Sequence, residues 1–158
     1  MASVLKTPTR FAVDIFKKRP EGTLCEVVEN TLYMATSRSL IHQKLSGELC
    51  RIIANHVVEN DLGELNAAPM DVYLDDTNAY QPDIVFVLKE NEEILHQEGI
   101  VGTPDLIIEI LSPRNKNHDL VKKKAVYEKC GVKEFFAVDP KTKHQQCFEL
   151  KMRNTNCF

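Results

Sequence analysis

Apolar residues recur with a helical period between Ser39 and about Asn60, three or four positions apart. The members of this set are Ile41, Leu45, Leu49, Ile52, Ile53 and Val57. Serine at the start and Gly63 just beyond the end suit the two termini of a helix. The pattern therefore predicts a long amphipathic helix. A shorter helix is predicted over residues 9–18, because Pro20 stops it.

Short apolar runs bounded by turn residues predict strands on both sides of the long helix. Residues 23–35 predict two strands with a turn near Glu29-Asn30. Further strands are predicted within 64–76, where Pro69 marks a break, at Asp83–Leu88, at Asp105–Leu111, and in a final hairpin over 133–150. A second helix is predicted over Asp119–Cys130, closed by Gly131. Strands flanking one long and one medium helix favour an α/β class with a mixed sheet and helices packed on it.

Composition places the chain among ordinary globular proteins. It has 158 residues, 43% hydrophobic and 27% charged, which suggests one domain over residues 1–158. Its core is expected at about 23–151, after a helical or extended lead-in over 1–20. No apolar run approaches the roughly 20 residues of a membrane span. The N-terminus lacks the apolar core of a secretory signal.

The cysteines and the net charge narrow the function classes. Five cysteines stand far apart without a CxxC pair, so neither a disulfide framework nor a structural zinc site is expected. The expected location of the protein is the reducing cytoplasm. The net charge of −3 argues against indiscriminate coating of nucleic acid. A local basic patch nevertheless occurs between residues 114 and 133.

Two Pro-Asp sequences head apolar runs, "QPDIVFV" at 81–87 and "TPDLIIEI" at 103–110, and the second run contains Glu109. Asp105 and Glu109 stand roughly 13 Å apart along a regular strand, too far to share one cation. Neighbouring strands lie only about 4.8 Å apart. If the two strands pair, Asp83 faces Glu109, and Asp105 is a structural residue at the strand entrance.

The second predicted helix supplies a positively charged side chain, Lys123. At about 100° per residue, Lys123 falls within the arc filled by the apolar residues of that helix, which are Leu120, Val126, Tyr127 and Cys130. Lys122 falls on the solvent side and Lys124 at the margin. A lysine central to an apolar face either extends to solvent or meets a carboxylate. Glu109, on the preceding strand, is the expected partner.

Asp83, Glu109 and Lys123 together suit phosphodiester hydrolysis. Two carboxylates and the main-chain carbonyl of Ile110 can hold a divalent cation, which polarises the scissile phosphate and lowers the pKa of a bound water. The lysine ammonium can orient or activate that water and offset charge on the phosphate. The expected cofactor is Mg²⁺, for which Mn²⁺ can substitute.

Four segments in order resemble the Uma-two family of restriction-endonuclease-like proteins, a branch of the PD-(D/E)XK nuclease superfamily. They are "QPDIVFV", "TPDLIIEILSP", "HDLVKKKAVY" and "GVKEFFAVDP", preceded by the looser "CEVVENTLYMATSRSLIHQKL". The resemblance implies a restriction-endonuclease-like core with a mixed central sheet, flanking helices and hairpins. It also implies a Mg²⁺ site in which Asp83 and Glu109 are the two acids.

The sequence departs from the superfamily pattern at Leu111, where lysine is expected two residues after the second acid. The resemblance implies that the lysine has moved to the following helix, at Lys123. It also implies accessory roles for an acid in the first hairpin, Glu26, and for a histidine at the start of the long helix, His42. "ENT" at 29–31 replaces the family's Asp-Gly-Glu, so this turn has lost its glycine.

Each candidate also has a plain structural interpretation. Glu26 could be an exposed hairpin residue, and His42 a core histidine on the inner side of its helix. Tyr127, one turn after Lys123, is a further accessory candidate. The basic residues near the site are candidates for phosphate contacts, although such runs are usually solvated faces; they are Arg114, Lys116, Lys122 and Lys124.

The leading function is a Mg²⁺-dependent endonuclease that hydrolyses DNA, acting as a homodimer because two strands require two sites. A second hypothesis is a catalytically silent nuclease fold that binds nucleic acid or a protein. A third is a metal-dependent hydrolase of another substrate with His42 as a ligand. The sequence shows no zinc finger, helix-turn-helix or RNA-binding signature that would supply specificity.

Overall fold

The computed structural model describes residues 12–34, 38–112, 119–140 and 145–149, and all elements named below lie in these ranges. The elements are α1 (Ala12–Lys17), β1 (Cys25–Val28), β2 (Thr31–Met34), α2 (Leu40–Glu59), β3 (Gly63–Ala67), β4 (Val72–Asp75), β5 (Asn78–Tyr80), β6 (Ile84–Leu88), a 3₁₀ helix (Lys89–Ile94), β7 (Leu95–His96), β8 (Gly99–Val101), β9 (Leu106–Ile110), a π-helical turn (Asp119–Lys123), α3 (Lys124–Cys130), β10 (Glu134–Val138) and β11 (Gln145–Glu149). The α/β class predicted from the sequence is confirmed.

These strands divide into two sheets. The five-stranded sheet has the order β11-β10-β9-β6-β3. It is the mixed central sheet that the sequence predicted, because β9 and β10 are parallel while its other neighbours are antiparallel. The six-stranded sheet has the order β2-β1-β5-β4-β8-β7. The sequence did not predict β5, β7 and β8, which have only two or three residues each.

The main core is built from both sheets and α3. Side chains from the six-stranded sheet, from β6, β9 and β10, and from α3 pack together there; they include Val72, Tyr80, Val85, Ile107, Val126, Tyr127 and Phe135. Tyr127 lies at the centre, with its ring edge-on to the rings of Tyr80 at 5.1 Å and Phe135 at 5.3 Å. Aromatic pairs in this geometry add to the free energy of area burial. The side of the five-stranded sheet that carries Glu109 therefore lies against a rigid aromatic layer.

α2 covers the opposite face of the five-stranded sheet. Its inner residues pack on Ile84, Ile108 and Val138; they are Leu45, Leu49, Cys50 and Ile53. The Ser39 side chain caps the helix by accepting from the His42 amide, as the serine at this position predicted.

The predicted apolar stripe of α2 was wrong at two positions. Ile41 is 61% exposed and Ile52 is 56% exposed. Both lie roughly 100° around the helix from His42, which is on the packed side. The sequence period predicts that a helix is amphipathic, but the packing against the sheet decides which part of a broad apolar arc is buried.

The helix predicted over Asp119–Cys130 begins with the π-helical turn and continues as α3. Gly131 ends it in the left-handed conformation, with φ 86°, as the sequence predicted. π turns inside helices are frequent at functional sites, and this one ends at Lys123. No helix in the described part of the chain is long and apolar enough to cross a membrane.

Candidate active site

The antiparallel ladder between β6 and β9 brings the two acids together. Ile84 pairs with Ile108 and Val85 with Ile107. The same register, continued by one residue, places Asp83 opposite Glu109. A hydrogen bond joins the two strands at this point: the Ile110 amide donates to Oδ2 of Asp83 at 2.7 Å. The structure therefore brings the predicted acid pair together at one end of both strands.

Asp83 is 2% exposed and has a different environment at each oxygen. Oδ2 faces His42 Nε2 at 3.1 Å in addition to the Ile110 amide. Oδ1 lies 2.7 Å from Arg38 Nη2, but the guanidinium N–H is not aligned for a hydrogen bond, and Oδ1 is a buried oxygen without one. The Arg38 contact is a contact between opposite charges and not a hydrogen bond, because the Nη2–Oδ1 distance is short but the N–H is not directed at the oxygen.

Glu109 is surrounded by donors at one oxygen only. Its Oε1 accepts from Lys123 Nζ at 3.0 Å and from the Tyr127 hydroxyl at 2.8 Å. Lys123 Nζ also donates to Glu26 Oε1 at 2.7 Å. Within the described residues, Glu109 Oε2 has no hydrogen bond. Within the described part of the chain, one oxygen of each strand acid therefore accepts no hydrogen bond.

Burial is the largest influence on Glu109 and raises its pKa, because a buried carboxylate loses hydration. The Lys123 ammonium opposes this shift. The negative charges of Asp83 and Glu26 add to it. The resulting pKa of Glu109 is about 7. Burial, followed by the Glu109 charge, also raises the pKa of Tyr127, so this hydroxyl stays protonated and donates.

This pKa predicts a pH-dependent stability in the metal-free protein. Unfolded Glu109 has an ordinary pKa of 4.5, against about 7 in the folded state, so between these values the folded protein binds more protons. Stability contributed by Glu109 therefore falls as pH rises through this window and is constant above it. Relative to Glu109→Gln, wild type should lose up to about 3 kcal/mol of unfolding free energy between pH 4.5 and 7.

Chemical denaturation in EDTA at several pH values measures this difference. Glu64→Gln is the matched control, because Glu64 is exposed in β3, and its profile should follow that of wild type. Profiles of wild type and Glu109→Gln that run parallel from pH 4.5 to 8 would contradict the prediction.

The remaining predicted residues divide between those near the acids and those elsewhere. Asp105 lies at the other end of β9, where Leu88 N–H, Asn91 and Lys133 hold its carboxylate. Its surroundings are those of the structural residue that the sequence predicted. Lys122 is exposed and Lys124 half-buried. Arg114 and Lys116 lie outside the described residues.

His42 was proposed as an accessory residue, with a core histidine and a metal ligand as alternatives. It is 6% exposed. Nε2 contacts Asp83, while Nδ1 is buried without a hydrogen bond. A ring nitrogen directed at a carboxylate suits a residue that orients Asp83 better than one that holds a metal itself. The ligand role of His42 stays a prediction.

Arg38 is the residue at this site that the sequence reasoning missed. It immediately precedes the helix cap Ser39, and it reaches the carboxylate of Asp83 45 positions along the chain. No periodicity indicates such a contact. The only available signal was a basic residue beside the start of the helix that carries His42, an accessory candidate.

The donor set can be tested against a divalent cation. Asp83 Oδ1 is buried without a hydrogen bond, and Glu109 Oε2 has none within the described residues. Hard divalent cations prefer such carboxylate oxygens, supplemented by carbonyls and water. No cluster of three His, Cys, Asp or Glu side chains suited to a metal occurs in the described ranges. The residues present thus fit a site of two acids completed by a main-chain carbonyl and water.

A mixed sheet with flanking helices is the restriction-endonuclease-like fold that the sequence predicted. The chain belongs to the Uma2 family, described as "Putative restriction endonuclease", which matches residues 13–156. The resemblance identified from the sequence is therefore confirmed. No curated protein matches the chain.

A solved structure supports the fold. The chain is similar to a crystal structure of a "putative nuclease belonging to DUF820" from Anabaena variabilis, with a TM-score of 0.70 and 20% sequence identity. The match covers 87% of this chain and 83% of the other. The family and the nuclease-like fold together support a nuclease function.

Proposed function

We propose that the protein is a Mg²⁺-dependent endonuclease that hydrolyses phosphodiester bonds of DNA. The observation that carries this proposal is the meeting of Asp83, Glu109 and Lys123 at one end of β6 and β9. Two acids and an ammonium from three separate elements converge there within a mostly buried site. Each strand acid also keeps one oxygen that accepts no hydrogen bond from the described residues, and these oxygens are suited to bind a divalent cation.

The residues that would hold the cation are Asp83, through Oδ1, Glu109, through Oε2, and Ile110, through its carbonyl. When bound, the cation supplies polarisation of the scissile phosphate and a lower pKa for a coordinated water. Mn²⁺ accepts the same oxygen ligands and would substitute for Mg²⁺. Tyr127 and His42 fix the orientation of the two acids through the oxygens that the cation does not use.

Lys123 has two roles in the proposal. Its ammonium lies between the carboxylates of Glu26 and Glu109, which fixes the position of the ammonium and offsets part of the negative charge in the resting site. Three donor hydrogens are available on a lysine ammonium. In the proposal this ammonium orients the attacking water or stabilises negative charge on the phosphate as it becomes pentacoordinate.

DNA and a homodimer are the expected partners. Lys122 is exposed on the helix that carries Lys123, and basic groups beside a cleft attract the phosphate backbone. Cutting both strands of a duplex requires two active sites, which a symmetric dimer would supply. A monomeric protein would nick one strand.

Cleavage of supercoiled plasmid and of short single- and double-stranded DNA tests the proposed function. We expect the purified protein to nick or cut DNA with Mg²⁺ or Mn²⁺, and EDTA should stop the reaction. Activity that persists in EDTA would contradict metal dependence. A folded protein that binds Mn²⁺ yet cuts no DNA or RNA substrate would contradict the nuclease itself.

A catalytically silent binding module is the second candidate. The observation that favours it is that each strand acid already faces a protein cation, Arg38 at Asp83 and Lys123 at Glu109. Such a protein would bind DNA or a protein partner without turnover. Titration with Mn²⁺ separates the two candidates, because a silent module has no need of a cation at these acids.

A further inference from the structure

The two oxygens of Asp83 are held very differently. Oδ2 accepts the Ile110 amide at 2.7 Å and faces His42 Nε2 at 3.1 Å. Oδ1 has no hydrogen bond although it is buried. A buried carboxylate oxygen without a hydrogen bond is unfavourable unless a charge compensates it. The compensating charge in this protein is the guanidinium of Arg38, at 2.7 Å.

The hold on Arg38 is weak. Its side chain is 25% exposed, and its charge contact with Asp83 lacks hydrogen-bond alignment. Nη2 also donates to the Gln81 carbonyl, at a long 3.4 Å. Arginine normally binds a carboxylate through two parallel hydrogen bonds. Arg38 makes neither of them here, and solvent can replace its contacts.

Arg38 and a divalent cation compete at Oδ1. Mg²⁺ binds an oxygen at about 2.1 Å, and a guanidinium nitrogen at 2.7 Å from the same oxygen would face the metal at close range with like charge. The charge balance favours exchange. Lys123 and a divalent cation together neutralise the three acids Asp83, Glu109 and Glu26, whereas a retained Arg38 would leave one positive charge in excess among these groups.

We propose that Arg38 occupies the cation position at Asp83 Oδ1 in the metal-free protein and is displaced when a divalent cation binds. Arg38 would thus neutralise the buried acid in the resting state and set the metal concentration at which the site fills. Because this inference rests on the proposed metal site, its test measures metal binding directly and does not depend on cleavage.

The experiment is calorimetric titration of the full chain with Mn²⁺ alone, without DNA. Arg38→Gln removes the competing charge while keeping a polar side chain of moderate length. It should bind Mn²⁺ at least about fivefold more tightly than wild type. This factor is the lower end of the range by which one bound group usually changes the affinity for another. Arg38→Lys retains the charge and should stay within about twofold of wild type.

Two controls separate this effect from others. Arg51→Gln changes the same charge at an exposed position of α2 and should leave the affinity unchanged, which excludes a general electrostatic effect. Asp83→Asn should bind no Mn²⁺ at this site, which places the measured binding at Asp83.

The outcomes distinguish the inference from the proposed function. Tighter binding in Arg38→Gln but not in Arg51→Gln would support displacement, as would binding seen only after Arg38 is replaced. Equal or weaker binding in a folded Arg38→Gln, with wild-type binding that depends on Asp83, would overturn the inference and leave the metal site intact. Absence of Mn²⁺ binding in every variant would overturn both.

Discussion

Replacing Asp83 with asparagine is expected to abolish Mn²⁺ binding and to reduce metal-dependent DNA cleavage by at least about 1,000-fold. Asparagine keeps the shape of the side chain and one oxygen for the Ile110 amide, but it removes the charge that the cation requires. A bound cation stabilises the transition state by several kcal/mol, and each 1.36 kcal/mol is a factor of ten in rate. Single-turnover cleavage of plasmid and calorimetric Mn²⁺ titration measure the two losses.

Asp105→Asn is the matched control. Asp105 is equally a buried aspartate after proline, with 6% exposure, and it lies on the strand that carries Glu109. Lys133 and Asn91 bind its carboxylate. Burial opposes a lower pKa for Asp105, but the hydrogen bonds outweigh it and lower the pKa. This substitution should reduce stability while leaving the cleavage rate within a few-fold of wild type. Equal loss of cleavage in both variants would indicate a folding defect rather than a metal site.

The acid pair was predictable from the sequence because short-range geometry determines it. Two strands rich in apolar residues, with acids at known offsets, leave few registers that bury both apolar sets. The sequence left this pairing as a condition without an orientation; the structure pairs β6 with β9 antiparallel, in the register that places Asp83 opposite Glu109. The same distances assigned Asp105 to the other end of the strand, where the structure places it.

Lys123 was predictable for a similar reason, since a helical period places it among apolar residues. Val126 and Tyr127 are buried, as is Lys123 at 6% exposure. The π-helical turn that ends at this lysine left no signal in the hydrophobic pattern. The accessory role of Glu26 came from family resemblance and not from the residues themselves, and its contact with Lys123, 97 positions away, was not predicted.

The features that escaped prediction depend on tertiary packing. β5, β7 and β8 are too short to show alternation, and only pairing with other strands makes them strands. The exposure of Ile41 follows from which side of α2 packs on the sheet. Arg38 is the clearest case, because its charge contact with Asp83 joins distant segments and has no periodic signature.

Replacing Lys123 with methionine is expected to lower the cleavage rate by at least about 100-fold, the usual effect of removing one donor from a developing charge. The folded protein should also lose about 3 kcal/mol of stability at pH 8, because Glu26 and Glu109 then face each other without a cation. The loss should be smaller at pH 5. Loss of the lysine raises the pKa of Glu109 further above 7, so Glu109 takes up a proton there.

Lys44→Met separates the local from the general effect, because it removes the same charge at an exposed position of α2. It should fold with wild-type stability and retain cleavage within a few-fold. If Lys123→Met folds and cuts DNA at the wild-type rate, the lysine only balances charge between two acids and the catalytic ammonium must come from elsewhere. Arg38 would then be the cation to test, since it already contacts Asp83. If cleavage is lost while Mn²⁺ still binds, the ammonium acts after metal binding, as the position of Lys123 beside Glu109 implies.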